Sequence, residues 1–319
     1  MTSTLKPAVP AGRGTIKGPA LRAAGFLGNF LTSRLLGRKA PLLASFKLTY
    51  RCNLSCLGCP FHQLAGLPGS HMTWPVALAS LDALKAMGVK IVIFEGGEPL
   101  LWRDGGHTVS DLVQAARRLF PCVGATTNGT LPLDVPTDVL WVSVDGLKPA
   151  HDTLRSGSFD ALMENIRASR HPKLFVHYTM NRRNWRDFPG AAREIMGLDA
   201  VRGITVQFFY PYNLGEQDLR LTGAERREAV DMVLSLKRNK VPIMNSRRGL
   251  EAMVHGNWRC HDWILANVEP DGGILTGCYA KNRGGVRCSE CGFTPVAEAS
   301  GAVDLHPGSL VSGIRIFVL

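Results

Sequence analysis

Leu42-Leu-Ala-Ser-Phe-Lys-Leu-Thr-Tyr50 runs directly into Arg51-Cys52-Asn53-Leu54-Ser55-Cys56-Leu57-Gly58-Cys59-Pro60. The first part is a short apolar stretch that reads as a strand. The second places three cysteines on one loop with C-x3-C-x2-C spacing. Three thiolates gathered this tightly suit three corners of a cubic iron–sulfur cluster, which normally takes four cysteines. One iron is then left for a ligand from outside the chain, and an open position is what separates reactive metal sites from purely structural ones. A zinc loop or three buried thiols is the competing reading, and the spacing alone leaves it open.

Outward from this loop the chain alternates between two periodicities. Strands are expected at Ala44–Thr49, Lys90–Glu95, Cys122–Thr126, Val139–Val144, Leu174–Thr179 and Gly203–Tyr210. Helices are expected at about Thr73–Met87, Ser110–Leu119, Asp160–Ser169, Trp185–Met196 and Thr222–Arg238. Strands separated by helices predict a parallel sheet. Six such units predict an α/β fold of the partial TIM type, a (β/α)6 barrel open on one side. The expected organisation is a basic tail and amphipathic helix over residues 1–40, the barrel over 41–240, and a small cysteine-rich extension over 241–319.

In a parallel barrel the working groups lie on loops at the carboxyl ends of the strands, and the chain's distinctive motifs fall there. After the second strand comes Glu95-Gly96-Gly97-Glu98-Pro99, two glycines that permit close backbone approach beside a carboxylate that can accept from an ammonium. Thr126-Thr127-Asn128-Gly129-Thr130 follows the third strand, and Ser143-Val144-Asp145-Gly146 the fourth. Asn-Gly and Asp-Gly are also common turn residues. Thr179 and Asn181 end the fifth strand; Gln207, Tyr210 and Tyr212 end the sixth.

The cysteine loop followed one βα unit later by Gly-Gly-Glu resembles the signature of the radical S-adenosylmethionine (radical SAM) enzymes. The resemblance covers roughly residues 43–210. It implies that Cys52, Cys56 and Cys59 hold a [4Fe–4S] cluster and that S-adenosylmethionine (SAM) chelates the open iron. Gly96, Gly97 and Glu98 would then receive the SAM amino group, and Thr127, Asn128, Ser143 and Asp145 would line the cofactor and substrate cavity. It further implies an external one-electron reductant of the flavodoxin or ferredoxin type, and a 5′-deoxyadenosyl radical as product of SAM cleavage. One departure stands out. Many members carry an aromatic residue just before the third cysteine, where it contacts adenine, and here that position is Gly58. Another apolar group must cover the base, Phe61 being one candidate. A hopanoid-modifying branch that adenosylates a lipid tolerates glycine there.

A second cysteine group, Cys260, Cys278, Cys288 and Cys291, has spacing C-x17-C-x9-C-x2-C, with Gly273 five residues before Cys278. This resembles the start of SPASM and twitch extensions and implies one closed auxiliary [4Fe–4S] cluster, with a four-cysteine zinc site as the rival. Trp258 and Trp263 flank Cys260 and are expected to shield the site. His62 and His261 are read as neighbours of cysteines rather than ligands, and Cys122 as core packing.

The net charge of the 319-residue chain is +11, and no acidic residue precedes Asp82, whereas nine basic ones do. Such asymmetry points to an anionic partner. Residues 18–38 carry Leu21, Phe26, Leu27, Phe30, Leu31, Leu35 and Leu36 at roughly helical spacing among basic residues. Two readings stand: peripheral membrane contact through residues 18–39, or a helix closing one end of the barrel. A transit-type leader ranks third and nucleic acid ranks last among partners. No 18-residue apolar run is present, which predicts no membrane span. The ligand-like cysteine spacing suggests a reducing, cytoplasmic compartment. The substrate expected from these features is a lipid or isoprenoid. The alternatives are a peptide or protein substrate, or a non-catalytic iron–sulfur or zinc protein.

Overall fold

The computed structural model describes residues 18–35, 37, 39–212, 216–278, 281 and 287–319. The tail expected over residues 1–17 lies outside these, as do the side chains of Phe30, Leu31, Leu35 and Leu36.

Six parallel strands form the framework: β1 (Leu43–Thr49), β2 (Ile91–Gly96), β5 (Cys122–Thr127), β6 (Val139–Ser143), β7 (Leu174–Met180) and β8 (Val201–Phe208). A two-residue hairpin, β3 (Arg103–Asp104) and β4 (His107–Thr108), sits between β2 and β5. The sheet order β1-β2-β5-β6-β7-β8 is sequential. Helices α3 (Trp74–Met87), α4 (Val109–Leu119), α6 (Phe159–Ala168), α7 (Phe188–Met196) and α8 (Gly223–Arg238) come, in that order, after β1, after the hairpin that follows β2, and after β6, β7 and β8, and no described helix lies between β5 and β6. Shorter helices α2 (Phe61–Leu64) and α5 (Lys148–Leu154) sit in the loops after β1 and β6. This is the expected partial barrel, with each expected element within a few residues of its place.

The two faces of each strand sort by period two. Phe46, Leu48, Val92, Phe94, Val123, Ala125, Val142, Val176, Tyr178 and Val206 pack with helix residues such as Leu81, Leu84, Leu112 and Leu162 in the main core. The alternate residues face inward. Near the amino ends of the strands these are apolar, and Ile91, Ile93, Cys122, Val139, Trp141 and Phe175 form a second cluster. Cys122 is thus the fully buried packing residue expected. Near the carboxyl ends the same face changes to Ser45, Lys47, Glu95, His177, Thr205 and Gln207.

The segment expected as an appendage shares the sheet. Strand β9 (Leu265–Val268) pairs parallel with β1, and β10 (Ile274–Thr276) pairs antiparallel with β9. On the opposite edge, Ile243 bridges Ile204 of β8, the Phe208 N–H donates to the Gly292 carbonyl, and Thr294 Oγ1 donates to the Val206 carbonyl. Helices α9 (Arg247–His255), α10 (Thr294–Val303) and α11 (Pro307–Phe317) pack together beside this seam.

Helix α1 (Pro19–Leu35) closes the amino-terminal end of the barrel. Its Arg22 is buried and donates to Asp138 Oδ1 at 2.8 Å, and Phe26 packs on the inner apolar cluster together with Ile316 and Phe317 of α11. The docked-helix reading therefore accounts for α1, and membrane contact through residues 18–39 has no support among the described residues. No described helix is long and apolar enough to cross a membrane.

Candidate functional site

Cys52, Cys56 and Cys59 lie partly buried on the loop leaving β1. Burial pushes all three thiols above their ordinary range, Cys56 to about 11, and their thiolates repel one another. Donors and one cation oppose that rise. The Leu54 N–H approaches Cys52 Sγ at 3.4 Å and Asn128 Nδ2 approaches it at 3.7 Å. Backbone N–H groups of Phe61 and His62 serve Cys59, and the Arg155 guanidinium favours the thiolates of Cys56 and Cys59.

Among the described residues no set of three Cys, His, Asp or Glu side chains is placed to hold a single metal ion. Soft thiolates in a pocket of N–H donors beside a cation fit an iron–sulfur cluster.

The Gly-Gly-Glu turn is wedged against this loop. The Gly97 N–H donates to the Thr49 carbonyl at 2.6 Å and the Glu98 N–H to the Arg51 carbonyl at 2.9 Å. A Cβ on Gly96 would run into the Thr49 carbonyl oxygen, and one on Gly97 into that of Arg51. Gly96 also has φ +137°, which a side chain disfavours. The two glycines therefore let the second loop lie directly on the stem that carries Cys52.

Glu98 itself is fully buried. Oε1 accepts from the Leu100 N–H at 2.9 Å and Thr127 Oγ1 at 2.8 Å, and Oε2 accepts from the Asn128 N–H at 2.7 Å. Burial nevertheless pushes this carboxyl up to about 7. Its side chain thus braces the loop after β5, with a single bond on Oε2. Asn128 extends the brace, because Nδ2 donates to Asn53 Oδ1 at 2.8 Å while Oδ1 accepts from Thr130.

Asp145 is buried at the end of β6. Oδ2 accepts from Arg155 Nε at 2.6 Å and Oδ1 from the Thr179 N–H at 2.8 Å. His151, also fully buried, accepts the Asp145 N–H on Nδ1 at 3.2 Å, which leaves Nε2–H to donate to Ser158 Oγ at 3.1 Å. Thr179 Oγ1 accepts from Gln207 Nε2 at 3.2 Å. Ser143 is buried on the inner face opposite His177. Asn181 is a buried turn residue bonded to Asn184.

Three functional neighbours escape the sequence reading. Arg155 is visible only through its ion pair. Phe209 takes the place against Gly58: a Cβ there would meet its ring at 2.7 Å, and Gly58 has φ +73°. Phe61 instead stacks on Tyr50, with centroids 5.5 Å apart and planes at 6°. Lys47 is the third, fully buried inside the barrel, with Nζ 3.0 Å from Ser45 Oγ, 3.6 Å from Glu269 Oε1 and 3.8 Å from Glu95 Oε1. Tyr50 hydroxyl also donates to Glu269. A lone lysine in a strand gives no signal of this.

The second cysteine group converges. Cys260 feels the charges of Cys278, Cys288 and Cys291, and burial pushes it up to about 12 and Cys291 to about 11. Trp258 and Trp263 pack with Ile264 and Val296 around Cys291, while Cys260 and Cys288 are exposed. Tyr210 and Tyr212 pack with Cys278 and Phe293 at this second group rather than beside the first. His261 Nε2 pairs with Asp304 Oδ1 at 2.8 Å.

A sequence model of the radical SAM superfamily matches residues 46–195, which hold the cysteine loop and the four loops just described. Residues 46–195 are thus similar to that superfamily. Fe-coproporphyrin III synthase of Methanosarcina barkeri is 27% identical over 217 residues, covering 63% of this chain and 52% of its own length. GTP 3′,8-cyclase 2 of Mycobacterium tuberculosis is 34% identical over 154 residues, 42% of this chain and 41% of its own. SuiB of Streptococcus suis, solved with bound S-adenosylmethionine, superposes with a TM-score of 0.61 at 14% identity, over 78% of this chain and 63% of its own. The chain spans about half the length of the curated relatives it matches.

Proposed function

We propose that this chain reductively cleaves SAM at a [4Fe–4S] cluster on Cys52, Cys56 and Cys59 and acts on a polar substrate inside the barrel. The observation that carries the reading is the junction of two loops. Three thiols sit on the β1 loop, and the Gly96–Gly97 turn, with Glu98 locked to Thr127 and Asn128, is pressed against its stem. When bound, the cluster would supply the electron, taken from a flavodoxin- or ferredoxin-type donor, that releases a 5′-deoxyadenosyl radical from SAM.

The chain's own residues do the rest. Carbonyls of the Gly-Gly turn accept from the SAM ammonium. Phe209 offers the apolar face beside Gly58 where the family pattern has an aromatic residue. Asp145 and Arg155 hold the loops after β6 and β7 in register and keep a cation beside Cys56 and Cys59. The proposed auxiliary cluster would be held by Cys260, Cys278, Cys288 and Cys291.

The substrate class follows from the lining. Lys47, Glu95, His177, Gln207, Asn267 and Glu269 line the interior toward the carboxyl ends of the strands, where a lipid would require apolar walls. The names of the two curated relatives refer to a coproporphyrin and to GTP, and neither is a membrane lipid. A polar substrate is therefore favoured over the lipid or isoprenoid expected from the sequence.

Anaerobic reconstitution tests the reading. Wild type should bind iron and sulfide at both cysteine groups and form 5′-deoxyadenosine only with reductant. Cys52→Ala/Cys56→Ala/Cys59→Ala should lose one cluster's iron and all 5′-deoxyadenosine. Undiminished cleavage in that variant would sink it. Zinc instead of iron in the protein as isolated, removed by substituting Cys288 and Cys291, would reassign the second group.

A further inference from the structure

At the amino-terminal end of the barrel, opposite the cysteine loop, lies a cavity of about 530 Å³. Its wall comes from residues that precede or open strands, Thr137 and Asp138 before β6, Pro172 and Lys173 before β7, and Arg202 in β8, together with Arg22 of α1 and Arg315 of α11. Phe175 and Met244 form an apolar floor. Leu319 also lines the cavity, and four cationic side chains thus share it with one acidic side chain.

That carboxylate is already engaged. Asp138 Oδ1 accepts from Arg22 at 2.8 Å and lies 3.6 Å from Arg117 Nη2, while Oδ2 accepts the Val123 N–H at 2.8 Å. The Lys173 ammonium is buried and has no hydrogen-bond partner, and the same holds for Arg22 Nε. Arg202 gives its Nε–H to the Pro172 carbonyl at 3.3 Å, and neither it nor Arg315 forms an ion pair among the described residues. Buried charge is ordinarily paired, because desolvation without a partner is costly. Of the four cations here, Lys173 is the one whose buried charged atom has no partner; Arg22 pairs with Asp138, and Arg202 and Arg315 are exposed at the rim of the same space.

We propose that this cavity binds a small phosphate-class anion, held by Lys173, Arg22, Arg202 and Arg315. An excess of several cations over one acidic side chain suits a multiply charged phosphate better than a single carboxylate. Guanidinium forks and a lysine point charge are the groups that recognise phosphate oxygens. The volume falls within the range of small-ligand sites, about 300–1,000 Å³. Two sources share this chemistry, a soluble phosphate or diphosphate and an anionic lipid headgroup. The site is separate from the cysteine loop, so its test is independent of SAM cleavage.

The full-length protein would be titrated calorimetrically with inorganic phosphate and inorganic pyrophosphate, and sedimented with phosphatidylglycerol and phosphatidylcholine vesicles. Wild type should bind pyrophosphate or the phosphatidylglycerol vesicles, and whichever binds identifies the source. Lys173→Met and Arg315→Gln should each weaken that binding at least tenfold. Arg183→Gln, which removes an equal charge near the other end of the barrel, should leave it unchanged. Arg315 is exposed, so its variant decides the matter if Lys173→Met fails to fold. Absence of binding to either probe at millimolar concentration would overturn the proposal, as would equal weakening by Arg183→Gln.

Discussion

Gly58 and Glu98 show how single residues carry the site. Gly58 adopts a positive φ and lies against the Phe209 ring, so Gly58→Ala meets both a backbone penalty and a steric one. The expected loss is about 1–3 kcal/mol in chemical denaturation. Adding Phe209→Leu should recover the packing part only; a neutral Gly58→Ala would show that the ring does not occupy that place. Glu98 behaves differently because its carboxyl is raised by burial to about 7 from an ordinary 4.5. Between those pH values the folded chain binds more protons than the unfolded one, so this group's contribution to stability falls as pH rises and levels off above 7. The span corresponds to about 3 kcal/mol. Glu98→Gln should flatten that stretch of the stability curve while placing an amide against N–H donors, and so lower stability at pH 8. An unchanged slope between pH 4.5 and 7 would refute the assignment.

At the scale of elements, α1 and the loop before β6 depend on Asp138. This one buried carboxylate serves Arg22, Arg117 and the Val123 N–H. Asp138→Asn leaves two buried guanidinium groups without their counter-charge, and breaking such a pair costs about 3–5 kcal/mol. The variant should melt lower and release α1 to protease before the barrel is cut. Unaltered melting would mean that the apolar contacts of Phe26 alone dock the helix. The elements read from sequence were those with a clear period. Six strands and five helices were legible because a short apolar run or a period is written along each one's own length. Helix α5 was not, since its seven residues hold only a few apolar groups. Strand β9 was passed over because its four residues are too few to show a period and lie between metal-ligand motifs.

The whole molecule is held together across the opening of the barrel. Residues 241–319 add β9 to the β1 edge, and their Ile243 and 292–294 segments cover β8. Deleting 241–319 therefore bares both edges of the sheet at once, and unpaired strand edges invite aggregation. The truncated chain is expected to lose its cooperative thermal transition and bind a hydrophobic dye, as followed by calorimetry and fluorescence. A sharp transition in the truncated chain would show instead that the first 240 residues form an autonomous unit. The same architecture places the two cysteine groups in one body, with Arg226 of α8 donating to the carbonyls of Glu290 and Cys291.

Local chemistry alone was enough to mark the strands, the cysteine spacing and the glycine-rich turns, because those properties are written in neighbours a few residues apart. It could not reveal that Glu98 bonds to Thr127 and Asn128, that Phe209 fills the space beside Gly58, or that Arg22 meets Asp138. Those partners lie tens to more than a hundred residues apart in the chain. Which of them meet is set by strand order and register, and these exist only once the sheet has closed around its core.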